Sequence, residues 1–95
     1  MGASEFYIVM KGTTAREAFN DARDDALYEW GHGGYTGSIA EKDTFVMIPL
    51  PDDVDAEDYA YSIVDDHPKL DGKWGPAGCF RLDEGVFAFF GTASS

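Results

Sequence analysis

Three segments of the chain are apolar at consecutive positions, and this pattern limits the fold more than any other feature. They are residues 6–10, 45–48 and 86–90, which are rich in Phe, Val, Ile and Met. Successive side chains of a strand point to opposite faces, so each of these segments would be apolar on both faces. A strand with one solvated face normally alternates apolar and polar residues instead. Both faces of the predicted sheet therefore need cover.

Two other segments have the spacing of helices that are apolar on one side. The first runs from Ala15 to Trp30, and Thr14 with Glu17 fits a capping box at its start. Its apolar stripe consists of Ala15, Ala18, Phe19, Ala22, Ala26 and Trp30. The second follows an Asp cap at the end of the loop 51–55 and runs from about Ala56 to Asp66, where His67-Pro68 ends it. Its stripe consists of Ala56, Tyr59, Ala60, Ile63 and Val64.

The order of these patterns predicts a single α+β domain over residues 1–95, with residues 1–4 and 93–95 frayed. Strands are predicted at Glu5–Lys11, Ser38–Lys42, Thr44–Leu50, Ala77–Leu82 and Val86–Thr92. The pattern leaves open whether residues 38–42 form a strand. The last two strands would form a hairpin through Asp83-Glu84-Gly85. The resulting order, β-α-β-β-α-β-β, predicts a ferredoxin-like two-layer sandwich with an added C-terminal strand and both helices on one face of the sheet.

Two helices on one face would leave the second face of the sheet open. Monomers rarely expose large apolar patches, so a homodimer formed through this open face is predicted. The alternative cover is the segment 69–78, folded over the sheet with Trp74.

The chain is strongly acidic. Eighteen Asp and Glu residues against seven Lys and Arg give a net charge of −11, which argues against direct binding of nucleic acid. The predicted outer faces of the two helices carry carboxylates, and helices on one face of a sheet would lie side by side. These residues are Glu17, Asp21, Asp24, Asp25, Glu57, Asp58 and Asp65. They predict a surface for a basic or nucleic-acid-binding protein, with mimicry of nucleic acid as one form. Solubility and a high-salt habitat are the alternative reasons for the acidity.

A glycine-rich segment, Gly31-His-Gly-Gly-Tyr-Thr-Gly37, follows the first helix. A phosphate-binding loop precedes a helix rather than follows it, so packing and a change of chain direction are the favoured interpretation. The alternative function is a small-ligand or nucleotide-binding protein, or an enzyme. It would use His32, Gly33, Gly34, Tyr35 and Trp74.

No catalytic, metal or cofactor site is predicted from the remaining residues. His32 and His67 are the possible general bases, but no Ser/His/Asp arrangement is visible. Cys79 lies in a predicted strand and is interpreted as a small core residue. The cluster of Asp52, Asp53 and Asp55 lacks the spacing of a calcium loop. A single cysteine and the lack of a long apolar run predict a cytoplasmic protein that does not contact a membrane.

The segment Glu29-Trp-Gly-His-Gly-Gly-Tyr-Thr-Gly-Ser-Ile-Ala-Glu-Lys42 resembles part of a group of small uncharacterised phage and actinobacterial proteins. Those proteins combine an acidic, alanine-rich helix with a Tyr-Gly-x-Gly-Tyr-x-Gly-x-Ile motif, and the resemblance covers residues 14–48. It implies a phage-type accessory protein acting in the host cytoplasm, and it brings no catalytic residue. The sequence thus predicts a non-enzymatic interaction module that binds a host or phage protein.

Overall fold

Six elements follow one another in the computed structural model, which describes residues 3–30, 39, 42–64, 70 and 75–94. They are β1 (Ala3–Lys11), α1 (Ala15–Trp30), β2 (Phe45–Met47), α2 (Ala56–Ile63), β3 (Ala77–Asp83) and β4 (Val86–Ser94). The predicted α+β sandwich of one sheet and two helices is confirmed. β2 is shorter than predicted and ends before Pro49, whereas β1, β3 and β4 each extend beyond their predicted bounds.

Both helices begin at the predicted capping residues. The Glu17 amide donates to Thr14 Oγ1 at 3.2 Å, which starts α1. The Asp58 amide donates to Asp55 Oδ2 at 3.1 Å, which starts α2. Each cap satisfies one of the amides that a first helical turn leaves without a partner.

The predicted hairpin between β3 and β4 is present. Gly85 has φ +73°, in the left-handed region that glycine adopts at little cost. The Gly12 amide donates to the Gly85 carbonyl at 3.0 Å, so the end of β1 is bonded to the hairpin turn.

The sheet has the strand order β1-β4-β3-β2. β4 runs antiparallel to both β1 and β3, while β2 runs parallel to β3. This mixed sheet does not confirm the ferredoxin-like assignment. The strand predicted at residues 38–42 is not formed at its two described residues, because the Lys42 amide donates to the Ile39 carbonyl at 3.0 Å in a turn.

The two helices lie on opposite faces of the sheet. Along β4, Phe87 and Phe89 pack in the cluster with α1, while Ala88 and Phe90 pack in the cluster with α2. Because neighbouring residues of a strand point to opposite faces, this alternation separates the helices. The buried residues on the α1 side are Ala18, Phe19, Ala22, Ala26, Ile39, Ala77, Cys79, Phe87 and Phe89. Those on the α2 side are Ile48, Ala60, Val64, Leu70, Phe80, Ala88 and Phe90.

The predicted two-layer arrangement, with both helices on one face, is therefore wrong. α2 covers the face that was expected to be open, and Phe80 and Phe90 are fully buried there with ring centroids 4.5 Å apart. The strands are apolar on both faces because each face carries a helix. A homodimer through an open sheet face consequently loses its structural basis.

Candidate functional site

The outer side of α1 carries the first of two acidic surfaces. Its carboxylates are those of Glu17, Asp21, Asp24 and Asp25, which we call the α1 surface, and all four residues are exposed. The opposite side of the helix buries Ala18, Ala22 and Ala26 against the sheet. Because alanine side chains are small, the helix packs close to the sheet on this side. The longer polar side chains lie on the opposite side of the helix, in solvent. Tyr28 extends the same exposed side and is 92% exposed.

The first turn of α2 carries the second acidic surface. Glu57 and Asp58 are exposed there, beside the capping residue Asp55, and we call these three residues the α2 surface. Carboxylates in a first turn are favoured by the positive end of the helix dipole, so this cluster has a structural reason to exist. Asp65, also predicted for this surface, lies outside the described residues.

The two acidic surfaces do not lie side by side, as was predicted. They belong to helices on opposite faces of the sheet, so the sheet and both apolar clusters separate them. Charges on opposite sides of a domain are further apart than the Debye length of about 8 Å at physiological salt, and they do not act as one field. A partner could therefore contact one surface or the other.

A pair of tyrosines lies beside the α2 surface. Tyr7 of β1 and Tyr61 of α2 have ring centroids 6.5 Å apart, and Tyr61 is 41% exposed. Burial raises the pKa of Tyr7, and the nearby charges of Glu57 and Asp55 raise it further. This pairing joins the exposed side of α2 to β1. The sequence predicts that Tyr7 lies on an apolar face of a strand, but it does not predict the contact with Tyr61.

Two arginines cover the aromatic cluster on the α1 side of the sheet. Arg16 Cζ lies 5.1 Å from the ring centroid of Phe45 and 5.9 Å from that of Phe19, and Arg23 Cζ lies 6.0 Å from the Phe19 ring. Cations over aromatic faces are attracted to the ring quadrupole. Positive charge therefore runs along one flank of α1, while its outer side is acidic. The spacing of Arg16 and Phe19, i to i+3, could have identified this contact.

Lys42 is a buried cation that sequence reasoning missed. Its residue is 1% exposed, and its Nζ donates to the Gly75 carbonyl at 2.8 Å. Burial lowers the pKa of this ammonium group. The bond joins two segments distant in sequence at the α1 side of the sheet, where Lys42 Cε also lies close to Gly91. A single lysine in a predicted strand gives no signal of burial.

Cys79 is a core residue, as predicted. It is fully buried in β3, and burial raises the pKa of its thiol to about 12. A nucleophilic cysteine needs a lowered pKa and access to solvent, and Cys79 has neither.

The residues of the alternative ligand site lie outside the described part of the chain. These are His32, Gly33, Gly34, Tyr35 and Trp74, together with the possible general base His67. Within the described residues, no group of three or more His, Cys, Asp or Glu side chains is arranged to hold a metal ion. None of the described helices combines the length and the apolar character needed to cross a membrane.

Comparisons with protein-family models, with curated proteins and with solved structures found no match to this chain.

Proposed function

We propose that this protein is a non-enzymatic interaction module that binds a basic protein through the α1 surface. The observation that carries this proposal is the simultaneous exposure of Glu17, Asp21, Asp24 and Asp25 on one side of a helix that is firmly packed on its other side. A rigid row of charges loses little conformational freedom on binding and steers an oppositely charged partner toward it.

The spacing of these charges resembles that of a nucleic-acid strand. Glu17 and Asp25 are eight residues apart, which at 1.5 Å per residue is about 12 Å along the helix axis. Four carboxylates over that length correspond to roughly one charge per 3–4 Å, and a DNA strand carries one phosphate per about 3.4 Å. A nucleic-acid-binding protein is therefore the class of basic partner that this surface fits best.

The α1 surface is a better candidate than the α2 surface. The carboxylates of the α2 surface stand in one helical turn, where Asp55 already caps the helix. Those of the α1 surface continue beyond the first turn, where neither capping nor the helix dipole calls for them. Because residues 14–48 resemble part of small phage and actinobacterial proteins, we expect the partner to be a host or phage protein.

The test compares two variants that remove four negative charges each. The first changes Glu17→Gln, Asp21→Asn, Asp24→Asn and Asp25→Asn. The control changes Glu57→Gln, Asp58→Asn, Asp52→Asn and Asp53→Asn, which are also exposed. Neutral amides keep the size of each side chain, and both variants have the same net charge.

Binding is measured by calorimetry with a synthetic Lys- and Arg-rich peptide, and by competition with duplex DNA for a basic DNA-binding protein. We expect the first variant to lose about tenfold or more in affinity, or at least 1.4 kcal/mol, and the control to lose much less. The affinity of the unchanged chain should fall as salt is raised. Equal losses in the two variants would show that only net charge matters and would contradict the proposal.

A further inference from the structure

β1 lies at one edge of the sheet, and within the described residues its only strand neighbour is β4. The register of the two strands continues to Gly12, whose amide bonds to Gly85 of the hairpin. In an antiparallel pair, alternate residues direct their backbone groups toward the neighbouring strand and away from it. Even-numbered residues of β1 therefore bond to β4, and the odd-numbered ones direct N–H and C=O groups outward.

Most of the odd-numbered residues of β1 are exposed along this edge. Glu5 and Lys11 are exposed, Val9 between them is 48% exposed, and Tyr7 is half-buried. These are four of the five odd-numbered residues, all but Ala3, and their side chains lie on the α2 side of the sheet because that of Tyr7 does. Native proteins usually protect a long edge strand with a bulge, a proline or charged side chains. β1 pairs with β4 in unbroken register and contains no proline, and the two charges on its edge, Glu5 and Lys11, have opposite signs.

We propose that β1 pairs with β1 of a second copy of this chain, antiparallel and centred on Ile8. This register places Glu5 opposite Lys11 of the second copy, and Lys11 opposite its Glu5. It also places Tyr7 opposite Val9 in both directions, so that each exposed valine meets an aromatic ring. Opposite charges and aromatic–β-branched pairs are the combinations that stabilise facing positions of antiparallel strands.

The register follows from the order of residues in β1. A twofold contact requires that residue i meets residue j and that j meets i. Within one chain, Glu5 and Lys11 are six residues apart along a strand, about 20 Å, so they cannot pair with each other. Centring the contact on Tyr7 instead would place Glu5 against Val9 and leave Lys11 without a carboxylate. The pairing on Ile8 gives each of these four side chains a complementary partner and joins the sheets of two copies into one.

The acidity of the chain opposes this contact at low salt, because two copies of charge −11 repel each other. Repulsion between the remote acidic surfaces is screened over about 8 Å at physiological ionic strength, whereas the facing residues of the contact are much closer. The dimer should therefore form more readily at physiological salt than in dilute buffer.

The test uses charge reversal at the two ends of β1, measured by sedimentation velocity over a range of concentrations at physiological salt. Glu5→Lys and Lys11→Glu each bring like charges together at both ends of the contact, and we expect each to weaken dimerisation by about tenfold. The double variant restores opposite charges and should dimerise as the original chain does. An equimolar mixture of the two single variants should form mixed dimers, seen by native mass spectrometry, in preference to either homodimer.

Net charge cannot produce this result. Glu5→Lys makes the chain less acidic and Lys11→Glu makes it more acidic, yet both should weaken the dimer. A chain that is monomeric at all concentrations tested overturns the proposal. So does a dimer that neither single variant weakens, or one that the double variant fails to restore.

A second pair of variants tests the centre of the contact. Val9→Lys introduces a charge at the expected Tyr7–Val9 contact and should abolish the dimer. Met47→Lys is the matched control, because Met47 is 47% exposed and lies in β2, at the opposite edge of the sheet. Circular dichroism on all variants verifies that each is folded. Equal dimerisation of the Val9 and Met47 variants would also overturn the proposal.

Discussion

Gly78 and Phe90 face each other across β3 and β4, and the Phe90 ring occupies the space in which a Cβ on Gly78 would lie. A Cβ at this position would clash with Cζ of the Phe90 ring. Phe90 in turn packs on Phe80, and all three residues are buried on the α2 side of the sheet. The absence of a side chain at Gly78 is thus what allows two phenylalanine rings to lie beneath a helix as short as α2.

Gly78→Ala should therefore destabilise the fold. The added methyl forces the Phe90 ring toward Phe80, and overpacking of this kind typically costs about 1–3 kcal/mol in the free energy of unfolding. Urea denaturation followed by circular dichroism measures the loss. Phe90→Leu removes the ring that occupies the space of the added methyl group. Gly78→Ala should therefore lower the free energy of unfolding much less in the Phe90→Leu background than alone. Additive losses in the double variant would show that the ring is not the cause.

Asp55 caps α2, and its removal should weaken the fold by a smaller amount. Asp55→Ala leaves the Asp58 amide without its acceptor, which we expect to cost about 1 kcal/mol. Asp55→Asn keeps an oxygen acceptor in place and should cost less. Asp53→Ala, an exposed change two residues earlier, serves as the control and should be nearly silent in thermal unfolding. Equal effects of the Asp55 and Asp53 variants would contradict a capping role.

The sequence predicts the elements of this fold but not their arrangement. The bounds of α1, both caps and the β3–β4 hairpin follow from local signals at Thr14, Asp55 and Gly85, and the structure confirms them. The positions of the helices depend on strand order, which local signals do not contain. β1, β2 and β3 run in the same direction, and the chain crosses the sheet one way through α1 and back through α2. Crossovers between parallel strands are right-handed, so these opposite directions place the helices on opposite faces.

In the candidate sites, too, the features set by neighbouring residues can be predicted from the sequence, whereas contacts between residues distant in sequence cannot. The exposure of Asp21 and Asp24 on α1 follows from helical periodicity. The Tyr7–Tyr61 pair and the Lys42–Gly75 bond join residues more than thirty positions apart in sequence. Such contacts cannot be predicted from a periodic pattern. The position of β1 at the edge of the sheet cannot be predicted from the sequence either, because it depends on the strand order, in which β4 is the neighbour of β1.

Cys79 should be protected from thiol reagents in the folded protein. Its sulfur is buried, and the pKa of about 12 leaves almost no thiolate at pH 8. It is the only cysteine of the chain, so a colourimetric disulfide reagent reports a single event. We expect full reaction in concentrated guanidinium chloride and very slow reaction in native buffer, with a rate that rises as urea promotes opening. Rapid stoichiometric labelling under native conditions would show that β3 opens readily.

Lys42 should make the free energy of unfolding depend on pH in a predictable direction. Burial penalises its ammonium form, so the pKa of Lys42 is lower in the folded chain than the value of 10.5 it has when unfolded. Between those two pKa values the unfolded chain binds more protons, and the free energy of unfolding must then rise with pH. Below the folded pKa both states are protonated and the contribution is constant.

The comparison with Lys42→Met isolates this effect. Methionine has a similar length and no charge, and the contributions of Tyr7 and Cys79, whose pKa values are both raised, are common to the two proteins. The free energy of unfolding of the original chain minus that of Lys42→Met should therefore increase from pH 7 towards the unfolded pKa of Lys42. Chemical denaturation at several pH values measures the difference. A difference that stays flat or falls with rising pH would contradict the lowered pKa and would mean that the bond to the Gly75 carbonyl fully offsets the desolvation cost of the Lys42 ammonium group.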